Sequence, residues 1–385
     1  MNILYITHCD PRLTDFGSAQ RSHYLWQALQ KIGNVYTVYN VSPKEKTVID
    51  EENKICSASF APDGYVWLHL FAWFNKLFAP FVWPFRKGSI LRRKMPWKNV
   101  VFDRIVVRYL SNVALSNAWK FGNVYVDIDD LPTESYNTIH RKQLIPPFGW
   151  IGGILVEWWQ RHILRKCKAA WIASSEQVSI VKPYCPCEVL FNLPLPPKDG
   201  YRINGNQKRQ LMTVGLMSYE PNYEGVDWFL ENVWPKLHER FSDLTYMICG
   251  RGTPERLRKK WSSLSGVNIM GFVEDIDKIY EESIAVVTPI LSGAGTCIKV
   301  SEATLHGRKV FATPFAVRGV SNENIVSLMI EVSSTAKEMI EKILSWISID
   351  SNCCNIAQHD IEAVSRKEYT QEKFFDTINI VLLKC

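Results

Sequence analysis

The apolar positions of the chain fall into short runs rich in β-branched and aromatic residues, separated by longer amphipathic stretches. Such runs are typical of parallel strands that are buried on both faces of a sheet. In the first half of the chain the runs are Ile3–Thr7, Val35–Val41, Ile105–Tyr109, Val124–Ile128, Ala169–Ala173 and Val189–Phe191. In the second half they are Leu211–Val214, Leu244–Cys249, Val267–Met270, Ile284–Thr288 and Lys309–Thr313.

Amphipathic stretches with helical periodicity lie between these runs, among them Ser18–Ile32, Val226–Phe241 and Lys299–His306. A chain that alternates strand and helix in this way predicts a doubly wound α/β fold. Because the chain has 385 residues, more than one hydrophobic core ordinarily holds, we expect two domains.

A change of composition marks the boundary between the two domains. Residues 193–207 are rich in proline, glycine and polar side chains, which is the composition of a linker. We therefore predict one α/β domain over residues 1–195 and a second over residues 206–360. Ligands of open α/β sheets bind at the carboxyl ends of the strands, so two such domains facing across a cleft would bind ligands in it.

Composition and charge exclude several classes of protein. The chain is 46% hydrophobic and 22% charged, as globular proteins are. The net charge of +6 is modest for this length and predicts no nucleic-acid partner. Residues 1–7 lack the basic region and cleavage site of a signal peptide, so we expect a cytoplasmic protein with reduced cysteines. The closely spaced cysteines, at 185 and 187 and at 353 and 354, lack the spacing of a zinc site, and no metal site is predicted.

The segment 64–98 is the most unusual part of the chain. It begins with a stretch rich in tryptophan and phenylalanine and ends with six cations between Arg86 and Lys98. His69, Pro80 and other interruptions make the aromatic part too polar to span a membrane. Aromatic residues followed by cations suit a segment in the headgroup layer, here on the inner face of a membrane. The alternative is an insertion whose aromatic side chains pack on the first domain.

A turn of small residues, Gly293, Ala294 and Gly295, lies between a predicted strand and a predicted helix in the second half. Small residues let a ligand approach the backbone, and the amide groups of the first helical turn attract a phosphate. Lys299 and Glu302 are three residues apart and share a helix face. Lys299 would neutralise a phosphate, and Glu302 would accept hydrogen bonds from a diol such as ribose. Taken alone, the turn is also compatible with a purely structural role.

The motif Gly293-Ala294-Gly295-Thr296-x-x-Lys299-x-x-Glu302-Ala303 resembles the donor signature of retaining GT-B glycosyltransferases of family 4, also called glycosyltransferase group 1. Four other segments resemble the family's second domain in the same order: residues 214–222, 247–252, 267–273 and 307–320. The resemblance implies a GT-B fold with two Rossmann-like domains, and a helix over residues 361–385 that crosses back to the first domain.

The resemblance also implies an activity and a donor site. The enzyme would transfer a sugar from a nucleotide-diphosphate sugar, which is a substrate, so no cofactor is expected. The leaving diphosphate would take the proton of the acceptor hydroxyl, so no dedicated base is required. Glu302 would bind the ribose, and Gly295, Thr296 and Lys299 the diphosphate and the sugar. The remaining donor-site residues implied are Gly215, Ser218, Asn222, Arg251, Gly271, Phe272, Val273, Gly293 and Ala294.

Two positions depart from the family pattern. The family often has a glutamate eight residues before the ribose glutamate, and that position is Ala294 here. Related enzymes often place two cations in the first loop of the second domain, where this chain has Leu216 and Glu224. Lys299 and Arg251 are then expected to supply the positive charge, or the backbone amides hold the phosphates.

In the first domain, His8, Gly17 and Arg21 lie where the resemblance places a loop near the donor phosphates and the acceptor. The alternatives are a structural histidine at position 8 and a surface salt bridge at Arg21. Asp129 and Asp130 follow a buried strand, where several acids are costly without partners. They are expected to orient the acceptor or hold the transferred sugar. A helix cap by Asp130 and a metal site of the D-x-D kind are alternatives.

The sequence predicts a function in the biosynthesis of cell-surface polysaccharide, with a glycan or a lipid-linked molecule as acceptor. Two other classes of function stay open. One is a different enzyme on the same architecture, such as an epimerase of sugar nucleotides or a phosphorylase. The other is a degenerate glycosyltransferase-like subunit that acts as a scaffold, which the missing cations of the first loop favour.

Overall fold

The computed structural model describes residues 1–41, 45–59, 95–97, 99–140, 148–203, 207–293, 295–349 and 351–384. The chain divides into two compact units. Unit 1 comprises Met1–Asn192 together with Gln371–Cys385, and unit 2 comprises Leu193–Thr370. Nearly all of the aromatic and basic segment 64–98 lies outside the described residues, as does Ala294.

Unit 1 contains an eight-stranded sheet with the order β3-β4-β2-β1-β5-β6-β7-β8. All neighbouring strands are parallel except β3 and β4. The strands are β1 (Asn2–Thr7), β2 (Asn34–Asn40), β3 (Ile49–Asp50), β4 (Ile55–Ala58), β5 (Arg104–Arg108), β6 (Val124–Ile128), β7 (Ala169–Ile172) and β8 (Cys187–Val189).

The described helices of unit 1 are α1 (Gly17–Ile32), α2 (Leu110–Ser116), α3 (Pro132–Ser135), α4 (Phe148–Leu164), α5 (Val178–Val181) and, from the end of the chain, α14 (Gln371–Lys384). Short 3-10 turns lie at Ala118–Lys120 and Ser175–Gln177, and a π-helical turn at Tyr136–His140. Within the described parts of the chain, no helix is both long and apolar enough to cross a membrane.

Unit 2 contains a six-stranded parallel sheet with the order β11-β10-β9-β12-β13-β14. Its strands are β9 (Gln210–Val214), β10 (Thr245–Cys249), β11 (Val267–Gly271), β12 (Ala285–Thr288), β13 (Lys309–Ala312) and β14 (Glu331–Val332). Its helices are α6 (Glu220–Asn232), α7 (Trp234–Arg240), α8 (Glu255–Ser262), α9 (Ile276–Glu282), α10 (Ile298–Leu305), α11 (Asn322–Ser327), α12 (Ala336–Ile347) and α13 (Ser351–Glu368).

The predicted α/β class and its parallel sheets are confirmed. Every predicted strand run overlaps a strand, although the last run of the first half is displaced by two residues and forms β8. The predicted helix 226–241 is two helices, α6 and α7, that meet at Val233. Pro235 lies at the start of α7, where proline is tolerated because the first amides of a helix have no partner within it.

Both cores are built from the faces of these sheets. In unit 1 all five residues of β6 are buried, and in unit 2 all four residues of β12 are buried. The helix α14 packs on unit 1, where the side chains of Phe374, Ile378 and Leu382 are buried and the indole of Trp171 donates to the Thr377 carbonyl at 3.4 Å. Residues 361–368, in contrast, continue α13 within unit 2.

Candidate functional site

The turn of small residues follows β12 at the carboxyl edge of the sheet in unit 2. Helix α10 begins at Ile298, one residue before the predicted helical stretch Lys299–His306. Gly293 and Gly295 have φ angles of +127° and +68°, which residues other than glycine rarely adopt. The guanidinium group of Arg318 donates to the Gly295 carbonyl at 2.8 Å. Arg318 thus adds a second cation, besides Lys299, close to the turn. The sequence did not indicate Arg318 as a site residue.

Lys299 reaches from α10 to the loop that follows β9. Its Nζ donates to Oδ1 of Asn222 at 2.9 Å, and Nδ2 of Asn222 donates to the Leu216 carbonyl at 2.8 Å. A Cβ atom at Gly215 would lie only 2.6 Å from Cε of Lys299. Glycine is therefore needed at position 215 for the lysine to lie there. The structure thus brings together three predicted site residues from two separate segments.

The strands beside this loop end in closely packed backbone turns. The Gly250 amide donates to the Gly271 carbonyl at 2.7 Å, and the Met217 amide donates to the Arg251 carbonyl at 2.9 Å. A Cβ atom at Gly250, whose φ is +137°, would lie 1.7 Å from the carbonyl oxygen of Gly215. These backbone contacts fix the turns after β9, β10 and β11 in one edge of the sheet.

Ser218, Phe272 and Val273 also lie at this edge. Ser218 packs closely against Gly252. A Cβ atom added to Gly252 would lie 2.8 Å from the Cβ atom of Ser218. Phe272 is 65% exposed, and the guanidinium carbon of Arg251 lies 5.6 Å from its ring centroid. Val273 is half-buried against the core of unit 2. An exposed aromatic ring beside a cation is suited to contact a flat ring, and the predicted role in binding the base stays a prediction.

Glu302 lies one turn after Lys299 on α10 and is half-buried. Burial raises the pKa of its carboxyl group, while His306 and Lys299 act to lower it. Asp277 and Tyr280 face the same carboxyl from α9.

His306 is a buried residue of this site that the sequence analysis did not identify. Its Nδ1 lies 2.8 Å from the Glu302 carbonyl oxygen, and its Nε2 lies 2.9 Å from Oδ1 of Asp277. The imidazole stacks on the ring of Tyr280, with centroids 4.0 Å apart. Burial alone would raise the pKa of Asp277, but hydrogen bonds from His306 and from the Lys198 amide lower it. The sequence held one indication of this role: His306 is four residues after Glu302, a spacing that puts two residues on the same face of a helix.

The acidic segment of unit 1 contains a fully buried ion-pair network. The carboxylate of Asp127 accepts hydrogen bonds from Arg21, from Nη2 at 2.6 Å and from Nε at 3.0 Å, and it also pairs with Arg108. All three side chains are 0% exposed. Burial alone would raise the pKa of Asp127, but the two guanidinium groups hold it below its usual value. This arrangement supplies the cations that buried acids require.

The surroundings of Arg21 do not fit the predicted contact with a phosphate, nor the alternative of a surface salt bridge. Its Nη1 donates to the Leu190 carbonyl and to Oδ1 of Asn192, both at 2.8 Å. With its other nitrogens on Asp127, the guanidinium group is surrounded by protein partners. Arg21 therefore stabilises the edge of the unit 1 sheet from within.

Asp129 lies at the margin of this network. Its carboxylate accepts from Nδ2 of Asn192 at 3.1 Å and lies 3.6 Å from Nη2 of Arg108. The side chain is 13% exposed, so one edge of the carboxylate reaches the surface. Asp130 is half-buried. Helix α3 has Leu131 as its N-cap residue and no side-chain cap, so Asp130 is not the cap of this helix.

His8 lies at the end of β1, with Nε2 3.2 Å from Oγ of Ser18 and its ring against Tyr109. Burial, together with the charge of Arg108, lowers the pKa of His8 to about 3, so the imidazole is neutral at physiological pH. Gly17 is the first residue of α1. Among the described residues, no three or more histidine, cysteine or acidic side chains are grouped to hold a metal ion.

Comparison with solved structures identifies the fold as that of the GT-B glycosyltransferases. A sucrose-phosphate synthase from Thermosynechococcus elongatus has a TM-score of 0.69 to this chain at 13% identity, over 100% of this chain and 98% of the other. An Anabaena protein solved in complex with UDP and glucose has a TM-score of 0.65 at 11% identity, over 100% of both chains. At these identities the likeness establishes the fold alone.

Residues 208–348 match the family model of the glycosyl transferases group 1. This segment of unit 2 is therefore similar to a group 1 glycosyltransferase domain, and the predicted resemblance is confirmed at this level, while the assignment to family 4 stays a prediction. A Klebsiella pneumoniae protein, described as an uncharacterized 44.6 kDa protein in the cps region, is 24% identical over 178 residues. The match spans 44% of this chain and 44% of the length of that relative.

Proposed function

We propose that this protein is a retaining glycosyltransferase that moves a sugar from a nucleotide-diphosphate sugar to a glycan or lipid-linked acceptor. The observation that carries the proposal is the position of Lys299. Its ammonium group lies beside Asn222 and Gly215, at the edge of a group 1 domain, one helical turn before Glu302. An ammonium group can pair with a phosphate, and a carboxylate can accept hydrogen bonds from the hydroxyl groups of a ribose.

The reaction breaks the bond between the anomeric carbon and the diphosphate oxygen and forms a bond from that carbon to the acceptor oxygen. The acceptor proton passes to the leaving diphosphate. Lys299 and the first amides of α10 stabilise the negative charge that develops on the diphosphate. Glu302 accepts hydrogen bonds from the ribose hydroxyls. Asp129, whose carboxylate reaches the surface of unit 1, and Asp130 orient the acceptor or the transferred sugar. The nucleotide sugar is a substrate, and the reaction uses no separate cofactor.

Relatives of the fold indicate which nucleotide to test first. The Anabaena protein was solved with UDP and glucose. TarM of S. aureus, with a TM-score of 0.56 over 72% of this chain, was solved with UDP and α-GlcNAc-glycerol. These ligands favour a UDP-sugar as the donor of this chain as well.

The relative from the cps region of Klebsiella pneumoniae supports a function in capsule-like polysaccharide biosynthesis. Such polysaccharides require acceptors that grow at the inner face of a membrane, so we place the reaction in the cytoplasm. The aromatic and basic composition of residues 64–98 supports peripheral contact with that membrane.

The test uses the whole chain and a panel of UDP, GDP, ADP and CDP. We expect one nucleotide to raise the melting temperature and the matching nucleotide sugar to yield a product with retained anomeric configuration, read by NMR. Stabilisation by none of the four would favour the scaffold. A converted nucleotide sugar without transfer would favour an epimerase, and sugar phosphate formed from a glycan and inorganic phosphate would favour a phosphorylase.

A further inference from the structure

Helix α4 of unit 1 carries large apolar side chains on its exposed face. Trp150, Ile151, Ile154 and Trp158 are 62%, 43%, 47% and 53% exposed. Positions 150, 154 and 158 are four residues apart, so they form one row along the helix.

The opposite face of α4 packs into the hydrophobic core of unit 1. Val156, Trp159, Ile163 and Leu164 are buried within unit 1. Packing against the described residues of unit 1 therefore does not explain the exposed row. Contiguous exposed apolar side chains on a folded protein mark a surface that contacts something else.

Cations follow the apolar row: Arg161 lies in the last turn of α4, and three more lie in the residues directly after the helix. Arg161, Arg165, Lys166 and Lys168 are all exposed, and the nearest acid on the exposed face, Glu157, is paired with Arg161. The surface thus has an apolar half and a cationic half. From here on it is called the α4 surface.

A cavity of about 490 Å³ adjoins the α4 surface. It is lined by Trp150, Ile154, Arg161, Ile180 and Tyr184, among others, and also by Glu157, the acid that pairs with Arg161. Its volume lies in the range of small-molecule sites. The cavity therefore extends the apolar half of the α4 surface, while Arg161 already has Glu157 as its counter-charge.

We infer that the α4 surface docks on an anionic lipid bilayer. Tryptophan and isoleucine side chains enter the boundary between headgroups and acyl chains, while arginine and lysine meet the lipid phosphates. A second copy of this chain is a poorer occupant. A symmetric pair through this face would bring its excess of cations against the same excess on the partner.

The inference deepens the proposed function, on which it rests for the presence of a lipid-linked acceptor at a membrane. It concerns a surface distinct from residues 64–98. Docking through α4 would hold unit 1, which carries Asp129 and Asp130, next to the bilayer where such an acceptor lies.

The experiment is co-sedimentation of the full chain with vesicles of phosphatidylcholine, with and without phosphatidylglycerol, at low and high salt. We expect binding to the anionic vesicles that weakens with salt. Trp150→Ser combined with Ile154→Ser removes apolar contacts and should weaken binding roughly tenfold or more. Arg165→Gln combined with Lys166→Gln should weaken it by about fivefold for each cation.

Matched controls lie on unit 2. Val326→Ser replaces a side chain that is 77% exposed, and Lys236→Gln replaces an exposed cation; both should leave vesicle binding unchanged. Arg165 and Lys166 are both exposed, so their replacement keeps the test valid if the apolar variant folds poorly.

Three results would overturn the inference: no binding of the wild-type chain to anionic vesicles, unchanged binding of both α4 variants, or a dimer in sedimentation velocity that the apolar variant dissociates. Nucleotide-induced thermal shift, measured on the same variants, separates this outcome from failure of the proposed function. The shift should persist in the α4 variants whether or not they bind vesicles.

Discussion

The ammonium group of Lys299 lies 2.9 Å from the side-chain oxygen of Asn222, although the two residues belong to different segments of unit 2. Asn222 lies in the first turn of α6, between Leu216 in the preceding loop and Glu224 on the same helix, the two positions where the family usually has cations. The lysine of α10 thus brings positive charge to a region that has none at those two positions. The departure from the family pattern therefore leaves a cation where the proposed donor site needs one.

Replacing Lys299 by methionine keeps most of its length and removes its charge. We expect nucleotide-diphosphate affinity to fall roughly ten- to hundredfold, because hydrogen bonds to charged groups contribute about 1.5–3 kcal/mol. The measurement is calorimetric titration of the nucleotide that stabilises the chain most. Lys259→Met is the matched control, since its side chain is 78% exposed on α8. Equal losses in both variants would contradict a local role for Lys299.

Gly215→Ala tests whether the glycine acts through the lysine. The added Cβ would lie 2.6 Å from Cε of Lys299 and 3.1 Å from Nδ2 of Asn222, so the lysine must move. We expect weaker nucleotide binding in Gly215→Ala. In the double variant with Lys299→Met, the alanine should cost little more than Lys299→Met alone. Fully additive losses would show that Gly215 acts in another way.

The fold could be predicted from the sequence because parallel strands buried on both faces appear as continuous apolar runs. Three strands were not predicted, β3, β4 and β14. Two of them have only two residues, and β4 is the four-residue segment Ile-Cys-Ser-Ala. A segment of two residues has no periodicity that a pattern could detect, and Ser57 interrupts the apolar run of β4.

The sequence predicted the candidate donor site of unit 2 better than the ion-pair network around Asp127 in unit 1. Lys299 and Glu302 lie on one helix, so their spacing along the chain gave their proximity. The partners of Asp127 could not be found in this way, since Arg21 is 106 residues away and Arg108 is 19 residues away in sequence. The pairing of β5 with β6 places Arg108 opposite Asp127, and Arg21 joins them from helix α1.

Asp127→Asn should destabilise unit 1 strongly. It leaves the buried Arg21 without its carboxylate partner and leaves Arg108 only the more distant Asp129, at 3.6 Å. Breaking a buried ion pair typically costs about 3–5 kcal/mol. The measurement is urea-induced unfolding at neutral pH. The control Asp243→Asn breaks a surface ion pair between Asp243, which is 63% exposed, and Arg209, which is 46% exposed. This substitution should change the stability little. A loss in Asp127→Asn no larger than in this control would contradict the structural role of the network.

The same network makes stability depend on pH. The pKa of Asp127 is held below its usual value of 3.8, so its contribution is present above that value and is lost as the pH falls. We expect the wild-type chain to lose stability as the pH drops below about 4, and the Asp127→Asn variant to lack this component. Parallel pH profiles for the two chains would refute the assignment.

His306→Phe should shift the pH dependence of nucleotide binding. His306 lowers the pKa of the Glu302 carboxyl, as does Lys299, whereas burial and Asp277 raise it. Phenylalanine retains stacking on Tyr280 but removes the polar contacts, so the pKa of Glu302 should rise. The ionised carboxylate is the form that accepts the ribose hydrogen bonds. As the pH is lowered, the nucleotide affinity of the variant should therefore begin to fall at a higher pH than that of the wild type. An unshifted midpoint would separate His306 from the function of Glu302.

The most direct test of the donor site is calorimetric titration of UDP into the wild-type chain, Glu302→Ala and the exposed-site control Glu239→Ala, whose side chain is 70% exposed. The account predicts binding to the wild type and to Glu239→Ala, and affinity lower by roughly ten- to hundredfold in Glu302→Ala. If UDP binds poorly, the nucleotide that stabilises the chain most takes its place. Equal affinity for all three proteins, or no binding of any nucleotide diphosphate to the wild type, would contradict it.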